Sequence, residues 1–417
     1  MNSLILILII INYIIKYILM ARVIFFLIDG LADPGIKTPL KLAKKTNINK
    51  LLKNSFLANL EIFKKKEWPK KGYASLTGLA NLKILGYKFQ EIKKIKRGPL
   101  EAIGSDIVFQ NGELALRVDF GTVDKNLKVI DRRAGRNFFG FEELEKIINE
   151  ILFDVPFHFH RTYGHRGVLI FKEKLSPFIS DSDPLEKNKK VKKIKALRND
   201  PLTKKTARLV QKFLDQAHYV LENHPINKER ERRKILKANY LLTREAGNFM
   251  PKLENFFKKY NFKNGLVIAE NGAVKGGCKI AGFEALTLPE IENLNKRYNF
   301  YQKGIIENFS KYDLIYLHLK EADEASHDRN FKKKKEYFEF FDNWFSKIFK
   351  KFPQTKYIIT GDHLTNTKNG KHTFGDLPIL IINHREKNNP KEFSEIEARK
   401  KKIKIKPENL WNNFIFI

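Results

Sequence analysis

Three runs of apolar residues in this chain end on chemistry, and that recurrence constrains the fold more than any other feature. Val23-Ile24-Phe25-Phe26-Leu27-Ile28 stops at Asp29-Gly30; Leu314-Ile315-Tyr316-Leu317-His318-Leu319 runs into Lys320 and then Asp323; Tyr357-Ile358-Ile359-Thr360 runs into Gly361-Asp362-His363. Strands buried on both faces read as continuous rather than alternating apolar runs, and they belong to parallel sheets covered by helices. Proteins built this way bind their ligands beyond the carboxyl ends of the strands. The pattern predicts an α/β fold, an open and mostly parallel sheet flanked by helices. A fourth apolar run, Leu377–Ile382, follows His372, and a helical pattern over 331–350 lines up Phe338, Phe341, Trp344 and Phe345 on one face.

The middle of the chain follows another rule. From about 105 to 200 the apolar residues alternate over short stretches (Glu113–Phe120, Lys128–Asp131, Gly167–Lys172), and an amphipathic helix is predicted over about 203–223. This reads as a smaller α+β domain inserted into the α/β one. The expected division is 20–95 with 245–417 for the α/β domain and 96–244 for the insert. A charged tail over 390–410 has little periodicity, and no internal repeat is evident.

With 417 residues, 42% hydrophobic and 12% aromatic, the chain has material for buried cores, which excludes disorder for most of it. Cys278 is the only cysteine, so disulfides within the chain, four-thiolate zinc sites and CxxC redox chemistry are excluded. The formal charge of +32 suggests nucleic acid or an anionic surface. Lys far outnumbers Arg, however, as in chains from AT-rich genomes, and runs such as Lys332–Lys335 and Lys400–Lys404 read as solvated faces. No nucleic-acid-binding motif accompanies them, so no nucleic-acid partner is expected. Residues 1–19 are strongly apolar and near the minimum length for a bilayer span. They read either as a membrane anchor or as sequence upstream of a true start at Met20. The expected location is cytoplasmic, with membrane attachment as the alternative if the anchor is real.

The strand ends deliver Asp29, Asp323 and Asp362-His363, with His327 four residues after Asp323 and His372 nine after His363. Taken singly, such residues are ordinary helix caps or polar core side chains. Three carboxylates and three imidazoles at separate strand ends of one sheet are a metal signal. Mixed oxygen and nitrogen donors suit Mn²⁺ or Zn²⁺ better than Ca²⁺, with Mg²⁺ a further candidate, and six side chains exceed one tetrahedral site. Two divalent cations fit, and paired cations serve in-line phosphoryl displacement. Ser75 and Thr77, within Gly72–Asn81 before a helix-like run, are the candidate nucleophiles.

From about 22 to 384 the chain resembles the archaeal-type 2,3-bisphosphoglycerate-independent phosphoglycerate mutases of the alkaline phosphatase superfamily. The resemblance is carried by Leu27–Asp33, Leu82–Tyr87, Arg97–Gly104, Gly121–Asp124, Asp131–Arg136, Gly164–Arg166, Ser180–Pro184, His224–Asn227, Lys275-Gly276, His318–Asp328 and Thr360–His363. It implies an alkaline-phosphatase-like sheet and interconversion of 2- and 3-phosphoglycerate, a step of glycolysis and gluconeogenesis, without bound 2,3-bisphosphoglycerate. Asp29, Asp362 and His363 would hold one cation together with the nucleophile, and Asp323, His327 and His372 the other. The phosphorylated serine of the family falls on Thr77, with Ser75 as the fallback. Arg132, Arg133, Arg136, His165, Arg166 and Lys275 would bind the substrate, with at least one of the three arginines tied up in an internal ion pair. Asp124 and Asp131 are candidates for orienting those cations or moving the hydroxyl proton. The chain departs from the family where Gly78 replaces the usual Asp, Leu185 replaces a histidine, and Leu286–Glu292 replaces a glycine-rich loop. A phosphomonoesterase or another phosphomutase of the same superfamily is therefore the competing expectation. A non-catalytic surface protein anchored through 1–19 is the third reading, and the complete ligand set argues against it.

Overall fold

The structure, a computed structural model, describes residues 22–68 and 76–413. The apolar segment 1–19 and the fallback nucleophile Ser75 lie outside the described residues. Among those described, no helix is long and apolar enough to cross a membrane.

In chain order the strands are β1 (Val23–Ile28), β2 (Ser55–Leu60), β3 (Glu113–Val123), β4 (Val129–Asp131), β5 (Phe157–Tyr163), β6 (Arg166–Lys174), β7 (Tyr240–Gly247) and β8 (Gly265–Ala269). They continue as β9 (Glu284–Thr287), β10 (Leu314–Leu319), β11 (Lys356–Thr360), β12 (Leu364–Asn366), β13 (Lys371–Thr373), β14 (Leu377–Ile382) and β15 (Lys404–Ile405). Eight of them form one sheet in the order β15-β2-β14-β11-β1-β10-β8-β9. From β11 to β9 every pairing is parallel, as expected of the continuous apolar runs. The strand β14 differs: it runs antiparallel to both β11 and β2. A parallel neighbour needs a crossover, usually a helix, whereas the chain between β11 and β14 is taken up by the β12–β13 hairpin.

Alternate residues of β1 serve opposite layers, which is why its sequence is uniformly apolar. Val23, Phe25 and Leu27 join one core and Ile24, Phe26 and Ile28 the other. On the second side Phe26 meets Phe341, Trp344 and Phe345 edge-on, with ring centroids 5.6–5.8 Å apart. These three project from the helix Phe331–Lys351, the stripe its 3.6-residue period predicts. On the first side Phe25 stacks on Tyr316 at 4.6 Å and on Trp411 at 5.7 Å. Trp411 directly follows the stretch 390–410 that looks aperiodic in sequence. The C-terminal tail holds the helix Glu395–Lys401, β15 and the helix Pro407–Asn413.

The second sheet is antiparallel, in the order β4-β3-β6-β5 with β7 on the other side of β3. Its apolar face packs on the helix Pro201–Asn223, capped by Asp200 and opened by Pro201. The helix Arg97–Gly104 approaches the helix Ala273–Ile280 so closely that a Cβ on Gly104 would lie 2.0 Å from the Gly272 carbonyl oxygen. One on Gly276 would lie 2.1 Å from the Leu100 oxygen, so this crossing admits no side chain on either helix.

Candidate active site

Parallel strands β1, β10 and β11 end side by side, and the turns beyond them place the acids. Asp29 follows β1, Asp323 lies in the first turn of the helix Glu321–His327 after β10, and Asp362-His363 follows β11. Gly30 has φ +65°, and a Cβ there would sit 2.8 Å from the Asp323 Cα. Only glycine lets the β1 turn come this close to the β10 turn. The hairpin β12–β13 brings His372 back over the strand ends.

Two clusters result. In the first, His363 Nε2 lies 3.2 Å from Asp29 Oδ1 and 3.2 Å from Asp362 Oδ2, with Thr77 Oγ1 at 3.4 Å. In the second, Asp323 Oδ2 is 3.2 Å from His327 Nε2, Asp323 Oδ1 is 3.6 Å from His372 Nε2, and the two imidazole nitrogens are 3.3 Å apart. The His363 ring stacks on His372 at 3.9 Å between centroids, so the clusters share a wall. Donor atoms of Asp29, Asp362 and His363 all lie within 4.8 Å of one another, as do those of Asp323, His363 and His372. Thr77 is half-buried and is the second residue of the helix Leu76–Ile84.

The electrostatics ask for a cation. Asp29 Oδ1 and Asp362 Oδ2 are buried and make no hydrogen bond, meeting only the shared His363 Nε2 at 3.2 Å, although an unsatisfied buried carboxylate oxygen is costly. Burial and the neighbouring Asp29 carboxylate push Asp362 up to about 8. Burial works against a charged His363, yet Asp362 and Asp29 push it up to about 10. A proton thus takes the position a metal cation would satisfy with higher charge, and the donor set fits a divalent metal of mixed oxygen and nitrogen preference. The outer contacts fit as well. His327 Nδ1 donates to the Gly370 carbonyl at 2.8 Å, which turns its Nε2 lone pair towards Asp323.

Above the clusters lies a cavity of about 1090 Å³ lined by both sheets. Of the predicted substrate contacts, Arg132, Arg133, Arg136, His165 and Arg166 line it, and Lys275 does not. The Lys275 side chain is 1% exposed and its Nζ bonds Asp106, Asn271 and Thr287, so the structure gives it to an internal ion pair. The expected internal pairing of arginines is present twice. Arg132 binds Asp183 in a two-bond fork and Arg136 binds Asp328. Arg166 reaches Glu270 at 2.8 Å, and His165 lies 3.6 Å from Asp119. Arg133 alone of the six meets no acceptor through its guanidinium among the described residues. Burial and the nearby Arg136 and Arg166 lower its pKa.

Asp124 and Asp131 stand outside the cavity. Asp124 accepts the Asn126 and Lys128 backbone N–H groups. Asp131 accepts those of Arg133 and Gly135 and pairs with Lys187, so it builds the turn that presents Arg133. Their placement corrects the acid/base expectation. Sequence reading missed Arg117 and Arg244, which share Asp119 on the cavity wall. It also missed Glu270, which lies between Lys320 and Arg166 and is held down at about 2 by these cations against its burial. His318 lies 3.5 Å from Asp29 Oδ2 beneath the first cluster. A polar side chain inside an otherwise apolar strand run was the available signal for His318.

Such a sheet, with two candidate metal clusters at adjoining strand ends, defines the class as an α/β protein with a candidate metal site. A family profile described as 2,3-bisphosphoglycerate-independent phosphoglycerate mutase matches residues 67–227. The 2,3-bisphosphoglycerate-independent phosphoglycerate mutase 1 of Methanocaldococcus jannaschii is 37% identical over 370 residues, 86% of this chain and 88% of that one. Among solved structures, a Pyrococcus horikoshii protein superposes with a TM-score of 0.73 at 26% identity, covering 94% of this chain and 95% of its own. The cofactor-independent phosphoglycerate mutase of Thermoplasma acidophilum shares the fold, with a TM-score of 0.55 at 24% identity over 94% and 98% of the two chains. The chain belongs to the 2,3-bisphosphoglycerate-independent phosphoglycerate mutase family.

Proposed function

We propose that this protein interconverts 2-phosphoglycerate and 3-phosphoglycerate through a phosphorylated Thr77, with two divalent cations and no 2,3-bisphosphoglycerate. The observation that carries the reading is the position of Thr77 Oγ1, 3.4 Å from His363 Nε2 beside two orphaned carboxylate oxygens. Asp29, Asp362 and His363 would hold one cation, and Asp323, His327 and His372 the other. When bound, the cations supply Lewis acidity to the phosphoryl oxygens and to the attacking and leaving oxygens.

The chain's own residues do the rest. Arg133 supplies the unpaired guanidinium for an anionic group of the substrate, because a planar donor fork suits carboxylate and phosphate alike. Thr77 Oγ gives up its proton and bonds to phosphorus as the P–O bond to the glycerate oxygen breaks, that oxygen taking up a proton to become a hydroxyl. The other glycerate hydroxyl later loses its proton and takes the phosphoryl group back, and Thr77 Oγ is reprotonated. The helix Leu76–Ile84 presents its positive end to the phosphoryl group on Thr77. Residues 96–244 act as the substrate-binding insert over the metal-binding part formed by 20–95 and 245–417. The salt bridges Arg136–Asp328 and Arg161–Glu290 tie the two parts together beside the cavity.

The testing experiment measures 2-/3-phosphoglycerate exchange beside inorganic phosphate release in the Mn²⁺-supplied protein. Exchange in large excess over release is expected. Release without exchange would overturn the mutase reading in favour of a phosphomonoesterase. A second expectation separates substrate binding from folding. Arg133→Met should lower kcat/KM about 10–10²-fold, the loss of a charge-assisted pair, and leave the urea midpoint unchanged, since no internal pair breaks. Arg117→Met should do the opposite first. It takes one of two cationic partners from each of the buried Glu101 and Asp119, which keep Arg97 and Arg244, and costs about 1–3 kcal/mol of stability.

A further inference from the structure

The hairpin β12–β13 carries Thr365 directly behind the two clusters. Thr365 is fully buried, and its Oγ1 lies 3.0 Å from His363 Nδ1 and 2.8 Å from Asp323 Oδ1. His363 belongs to the first cluster and Asp323 to the second, so one hydroxyl touches a member of each. A hydroxyl has a single hydrogen, and an ionised carboxylate only accepts. The Thr365 hydrogen therefore goes to Asp323, and its oxygen accepts from His363 Nδ1–H. With Nδ1 committed as the donor, it is Nε2 that faces Asp29, Asp362 and Thr77.

We infer that Thr365 is a positioning residue for both metal clusters, setting the ring orientation of His363 and the carboxylate plane of Asp323 through one hydroxyl. The inference rests on the two-cation reading of the site. Its geometry is enforced from behind. The Thr365 backbone N–H donates to the Ala32 carbonyl at 3.0 Å. Two residues on, Thr367 gives its N–H and its hydroxyl to Asp33 at 2.7 and 3.1 Å. Asp33 is in turn held by the fully buried Lys334. Across the hairpin Thr365 pairs with His372, so the strand that carries the hydroxyl also registers a second-cluster imidazole. Groups that orient metal ligands typically matter 10–100-fold in affinity.

The test titrates metal-stripped parent, Thr365→Val and Thr365→Ser with Mn²⁺ by calorimetry, and with Co²⁺ by visible absorption. The parent should take up two ions per chain. Thr365→Val, the same shape without the hydroxyl, should bind both ions about 10–100-fold more weakly, with an altered Co²⁺ band. Thr365→Ser should restore affinity and spectrum. Thr365→Ala serves the same comparison if the valine variant does not fold. Parent-like binding of both ions by the valine variant, or weakening at one centre only, overturns the inference and leaves the two-cation reading standing. A parent that takes up fewer than two ions overturns that reading and the inference with it.

Discussion

Thr77→Ala is expected to lose phosphoglycerate exchange by at least about 10⁴-fold, as removal of a covalent nucleophile does in enzymes that depend on one. The loss should fall on kcat. Nothing in the arrangement makes Thr77 a principal substrate contact, and Arg133 remains to hold the anion. Because Thr77 is the second residue of its helix and only half-buried, removing its hydroxyl and methyl should shift the unfolding midpoint little. Thr77→Ser keeps the oxygen and should retain exchange within about tenfold, the usual scale of a repositioned group costing near 1.4 kcal/mol. A mass increase of one phosphoryl group on the parent after brief exposure to 3-phosphoglycerate, absent in Thr77→Ala, is the covalent signature. Exchange surviving in Thr77→Ala and vanishing in Ser75→Ala would move the nucleophile two residues back.

Much of the geometry of the candidate site could be read in the sequence because it depends on local facts. A strand buried on both faces must be apolar throughout, so the first polar residue after it marks a strand end, and Asp29, Asp323 and Asp362-His363 mark three adjacent ones. The direction of β14 was harder. Leu377–Ile382 reads the same in either direction, and only the hairpin before it makes β14 antiparallel. The C-terminal tail hid for a different reason. It docks through single anchors such as Trp411, which donates from its indole nitrogen to the Ile84 carbonyl at 2.6 Å, rather than through a periodic face. The cationic wall was legible as a set but not member by member. Which cation is free depends on acids far away in sequence: Asp183 takes Arg132, Asp328 takes Arg136, and Asp106 takes Lys275. No local pattern announces such pairings, and they leave Arg133 as the unpaired member.

Stripping the protein with a chelator should reduce exchange by more than about 10³-fold, since a bound cation contributes several kcal/mol to phosphoryl transfer, and adding Mn²⁺ or Zn²⁺ should restore it. The metal-free protein should also show a distinctive pH response. His363 has a raised pKa in the fold, up to about 10 against an ordinary 6.5. The stability it contributes is therefore fully present below about 6.5 and is lost as pH rises through about 10. Asp362, raised to about 8, binds its proton more tightly in the folded than in the unfolded chain, so its ionisation also weakens the fold, between about 4 and 8. Both groups act in one direction, and above about pH 6.5, where the lowered His165, His318 and His372 are neutral in both states, the metal-free protein should lose stability as pH rises to about 8. Divalent cation reverses the trend, because it binds the deprotonated cluster and displaces those protons. The increment in Tm given by a fixed excess of Mn²⁺ should therefore grow with pH over the same range, with measurable proton release on binding at pH 7. An increment independent of pH, without proton release, would mean that the ions bind elsewhere than among Asp29, Asp362 and His363.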